Sequence, residues 1–168
     1  MQSSPRIASS VAVAILGLFL MAPVPTRLGQ DVESRSQTDL RDLTDKKKAL
    51  MNDLTDFETM AKSLQGTEFD TVMQFDQKAE QAVMHLDATI WFLAVYDKMQ
   101  CEPDRAVAKA ALKNRLGFYS HLLDILAEQT TGYLVFAKLP ATAQAGSRTR
   151  DELRAAKNKL DAIASSLE

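Results

Sequence analysis

From Leu40 onward, apolar side chains recur at Leu40, Leu43, Leu50, Leu54, Phe57, Ala61 and Leu64. Alternating steps of three and four, interrupted only at Lys47, are the a/d seam of an amphipathic helix. Gly66 follows as a left-handed cap, which predicts a first helix over residues 37–65. Thr67, with Asp70 three residues on, reads as a capping box opening a second helix. Its seam passes through Phe69, Val72, Asp76, Ala79, Val83, Leu86, Ile90, Leu93 and Asp97. At 1.5 Å per residue, about 34 residues make this helix roughly 50 Å long. Asp76 and Asp97 bring charge onto the seam, so each needs a lysine or access to water.

Cys101-Glu102-Pro103-Asp104 is a turn into a third helix, because proline suits the first helical position and acids complement the positive end of the dipole. That helix carries Leu112, Leu116, Tyr119, Leu122, Leu123 and Leu126 on a broad apolar face and extends to about residue 138, with Gly132 a candidate break. In the last segment Leu153, Ala156, Leu160, Ile163 and Leu167 again step by three and four. This helix starts either at Pro140 or at a second box, Thr149 with Glu152; length matching to its neighbours favours Pro140. Sustained period-two alternation is absent, so strands are not expected. The pattern predicts an all-α protein, an up-down-up-down four-helix bundle with coiled-coil-like seams over residues 31–168. An elongated coiled-coil hairpin that dimerises is the alternative.

Residues 1–30 differ in kind. They hold no acid, and residues 11–22 form an uninterrupted apolar run behind Arg6. About a dozen apolar residues match a signal-peptide core, whereas a bilayer span needs about 20. Residues 1–30 are therefore expected to be a targeting segment, a signal peptide or a short membrane anchor by residues 11–22. The whole chain has 20 basic and 22 acidic residues, a formal charge of −2; that excludes a global basic field for nucleic acid. Cys101 is the single cysteine, so no disulfide scaffold is built, and an odd exported thiol invites an intermolecular disulfide.

Catalytic signatures are missing: G-x-S-x-G, a glycine-rich phosphate loop, H-E-x-x-H and C-x-x-C do not occur. A di-iron bundle requires Glu-x-x-His pairs, but His85 is preceded three residues back by Ala82 and His121 by Phe118. In an antiparallel hairpin, His85 is level with Phe118, so His121 with Asp124 is a candidate metal or haem partner set, set against a plain solvent-face role. The stretch 88–96 is apolar on nearly every side. Met84, Ala88, Trp91 and Val95 form a second stripe there, with Phe92 and Tyr96 beside it. Such a stripe serves either a wide core arc or contact with another chain, Trp91 being the anchor in the second case. Clusters at Lys46-Lys47-Lys48, Arg105/Lys109/Lys113 and Arg150/Arg154/Lys157 read as solvated helix faces.

These features lead to the expectation of an exported, non-enzymatic helical-bundle protein without cofactor. It would act through protein–protein contact, with another chain or with a second copy of itself, in a periplasm or outside the cell. A small-molecule, metal or haem carrier built around His85 and His121 is the alternative. Mass spectrometry of the exported protein is expected to find an N-terminus between Pro23 and Asp31. A full-length chain held in the membrane overturns cleavage in favour of the anchor.

Overall fold

The computed structural model describes residues 33–167, where the helical periodicities become α1 (Glu33–Ala61), α2 (Gly66–Asp97), α3 (Glu102–Leu134) and α4 (Pro140–Ser166). They form an all-α, up-down-up-down four-helix bundle within one chain, not a hairpin that needs a second copy to close. The targeting segment expected at residues 1–30 lies outside the described residues. Among the described residues no helix is long and apolar enough to cross a membrane.

The helix ends show where local signals hold and where they fail. α1 stops at Ala61, a turn early, closed by the Ser63 amide donating to the Met60 carbonyl. Gly66 does take the left-handed conformation, at φ 59°, but as the first residue of α2. The Thr67 capping box does not form, since Gln65 is the N-cap and no side chain caps it. α4 starts at Pro140 and α3 passes unbroken through Gly132. The amides of Lys138 and Leu139, just ahead of α4, donate to the Glu68 carboxylate on α2. One helix thus caps another.

Leu43, Leu50 and Phe57 of α1, Leu112, Leu116 and Leu123 of α3, and Leu153, Leu160 and Ile163 of α4 are buried where their seams predict. α2 departs from its pattern. Val72, Ala79, Leu86 and Leu93 are buried as expected, but the companion stripe is Phe75, Ala82 and Thr89 rather than Asp76, Val83 and Ile90. Both choices step by three and four, so periodicity alone is degenerate. The partner across the bundle breaks the degeneracy: α2 meets α4 over the short diagonal, while α1 and α3 stay apart. There the Phe75 ring lies where a Cβ on Gly146 would be, and Ala79, Ala82, Ala145 and Ala156 let the backbones approach. Thr89 tolerates its core position by donating to the His85 carbonyl at 2.8 Å. Asp76 is left half-buried, its carboxyl pKa raised by burial and by Glu80 and Glu58; Asp97 is exposed.

Charge joins α1 to α4. Lys159 bridges Asp39 and Asp42 at 2.7 Å each, Lys46 reaches Glu152 at 3.3 Å, and Arg148 clasps Asp53 and Asp56 at 2.6 Å. The Asp53 side chain is only 3% exposed and also accepts the Thr149 hydroxyl at 2.7 Å. Outside this seam, Ser120 of α3 donates to Asp161 of α4, and Arg154 pairs with Glu128.

Adding a methyl group separates the diagonal contact from ordinary helix surface. Gly146→Ala is expected to destabilise the bundle by about 1–3 kcal/mol through overpacking. Gly117→Ala, at a site with nothing within 4 Å of a new Cβ, should stabilise by about 0.5–1 kcal/mol through helix propensity. Urea unfolding of both variants checks the opposed signs; equal shifts would deny the close α2–α4 approach.

Candidate functional site

The rotation of α2 toward α4 turns the stripe of Met84, Ala88, Trp91 and Val95 away from the core. Met84 is 65% and Trp91 60% exposed, so these two do not complete a wide core arc. Phe92 and Tyr96 are half-buried against α3. The Arg115 guanidinium lies over the Phe92 ring, 4.1 Å from its centroid, and Arg105 over Tyr96 at 5.0 Å. Trp91 meets Phe92 edge-on, with centroids 5.0 Å apart. Between the helices Trp91, Phe92, Val95 and Tyr96 face Ala108, Ala111, Leu112 and Arg115 across an open groove of about 290 Å³.

The α3 wall of this groove is absent from the sequence-level expectation. Its signal was available: Ala108, Ala111, Arg115, Phe118, Leu122 and Ile125 step by three and four beside the core seam. Phe118 is 59% exposed. On α2 the matching stripe is Gln74, Gln77, Gln81, Met84, Ala88, Trp91 and Val95, so Arg115 carries the single charge on the two stripes. Among the described residues Arg115 makes no ion pair; its contact is the Phe92 ring.

The exposed large apolar side chains are distributed unevenly. Met51 is the one found on α1 and none lies on α4, while Phe69, Met73, Met84, Trp91, Val107, Phe118 and Ile125 lie on α2 and α3. The exposed apolar side chains of the helices thus gather on α2 and α3, interspersed with charges such as Glu80, Asp87 and Lys113, and Val135, Phe136 and Leu139 continue them into the α3–α4 connection.

The histidines do not converge. The His85 ring packs 5.4 Å from Tyr119, one residue from the register expected for the hairpin. His121 follows Tyr119 by two residues, about 200° further around α3, and is exposed. Asp124 lies in the field of Lys157 of α4. Among the described residues no group of three or more His, Cys, Asp or Glu side chains is arranged to hold a metal ion, so His85, His121 and Asp124 are not gathered into a site. Cys101 is an exposed free thiol at the N-cap of α3, at the groove's end of the bundle.

The class the fold defines is a four-helix bundle whose α2–α3 flank exposes Met84, Trp91 and Phe118 around a groove with Arg115 as its charged wall. Comparison of the chain with protein-family models, curated proteins and solved structures finds no match in any of the three.

Burial holds the His85 pKa below its ordinary value of 6.5. The unfolded chain therefore binds the proton more readily, and stability falls as pH drops below about 6.5 toward the folded value. Urea midpoints measured at about pH 7.5 and 5.5 should fall further in the wild type than in His85→Asn. Identical falls would show that another group carries the proton linkage.

Proposed function

We propose that this chain is an exported, non-enzymatic helical-bundle protein that works through protein–protein contact, in a periplasm or outside the cell, with the outer flank of α2 and α3 as its contact surface. The observation that carries the proposal is the pairing of an exposed Trp91 and Met84 with an adjoining groove whose stripes bear one charge. Charge depletion, aromatic anchors and a pocket beside them are what interface cores share. Contiguous apolar surface of this kind on a water-facing domain marks contact. Export rests on the acid-free residues 1–30 with their apolar run at 11–22.

A photo-activated cross-linking residue placed at Met84 in living cells tests the surface directly. It is expected to capture a protein chain, while the same residue at the exposed Asn158 on α4 captures none. Equal labelling at both positions, or none at either, would overturn the assignment.

A further inference from the structure

We infer that the partner on this flank is a second copy of the chain, paired about a two-fold axis running parallel to the helices so that α2 of each copy lies over α3 of the other. The inference rests on the contact surface proposed above and names its occupant.

Size is the first argument. At about 200 Å² for a large side chain, Met84, Trp91 and Phe118 together expose roughly 350 Å² per copy. The groove walls, with Ile125 and Val107, raise the contact toward the ~600 Å² per partner at which stable interfaces begin. Self-complementarity is the second. The flank carries both a projecting indole and, at the same height, a trough floored by Ala108 and Ala111 on the opposite helix. An isologous interface needs a knob and a hole of this kind on one surface.

The orientation follows from which helix carries which feature. With the axis parallel to the helices, heights are kept and α2 faces α3. Trp91 then enters over the partner's Ala108 and Ala111, and Phe118 comes over the partner's Ala88. An antiparallel pairing of the same flanks sets α2 on α2 and α3 on α3, so the indole never meets the alanine trough. The α2–α3 connection lies on the midline of the flank, and its exposed Cys101 is therefore carried close to the axis. The parallel pairing places the two thiols side by side, whereas an antiparallel one sends them to opposite ends of the assembly.

Sedimentation velocity of the full chain in reductant, combined with a short bismaleimide that alkylates two neighbouring thiols, tests the proposal. The expected result is a dimer that cross-links through Cys101. Cys101→Ser should remain dimeric but not cross-link. Trp91→Asp should weaken association at least tenfold and lose the cross-link while keeping its helical circular dichroism, because the indole is mostly exposed on the single chain. A monomeric wild type, a dimer that Trp91→Asp leaves intact, or a dimer whose thiols resist cross-linking overturns it. The two proposals fail separately: a monomer whose position 84 still captures a different protein keeps the contact surface and loses the dimer, and a monomer that captures nothing loses both.

Discussion

The Asp53 carboxylate is nearly sealed from water, and a charge in that position is tolerated only with its hydrogen bonds filled. Arg148 and Thr149, consecutive on α4, supply them. Sliding α4 by one turn against α1, about 5.4 Å, would strip both donors from Asp53 and part Lys159 from Asp39 and Asp42. The α1–α4 seam therefore admits a single register. This closes the bundle between its first and last helices and sets the height at which every other side chain of α4 meets the core.

One of those side chains is absent. Gly146 stands three residues before Thr149, so the register that satisfies Asp53 also brings a bare backbone against the Phe75 ring. α2 fills that notch with Phe75 and aligns Ala82 and Thr89 behind it. The rotation leaves Met84 and Trp91 on the far side of the helix. An electrostatic constraint on one side of the molecule is thus linked, through a steric one on the diagonal, to the apolar flank on the other.

The two flanks then divide the work of the fold. Ion pairs on the α1–α4 side are partly exposed and each contributes little by itself, but their common spacing enforces geometry. Cation–π contacts on the α2–α3 side hold Arg115 and Arg105 over aromatic rings. These contacts position the two guanidinium groups; Arg105 also lies in the field of Glu102 and Asp97 at the end of the groove. The exposed Trp91, Met84 and Phe118 of this flank, with Arg115 the one charge on the two stripes, are what qualify it as an interface.

Four helices in order, the core residues of α1, α3 and α4, the start of α4 at Pro140 and the existence of the Met84–Val95 stripe were legible in the sequence, because each depends on local periodicity or a local backbone preference. The tertiary structure decided which companion stripe of α2 is buried, because steps of three and four fit Phe75, Ala82 and Thr89 as well as Asp76, Val83 and Ile90. The notch at Gly146, which receives the Phe75 ring, fixes the choice. It also decided that Glu68 caps α4 across 70 residues of sequence, that Asp53 is buried with Arg148, and that His85 and His121 point apart. Those outcomes depend on pairings between distant segments, for which the one-dimensional pattern holds no distance. The α3 half of the contact surface falls between the two: its stripe is written in the sequence, but its alanines gain meaning only when packing sets them at the height of Trp91.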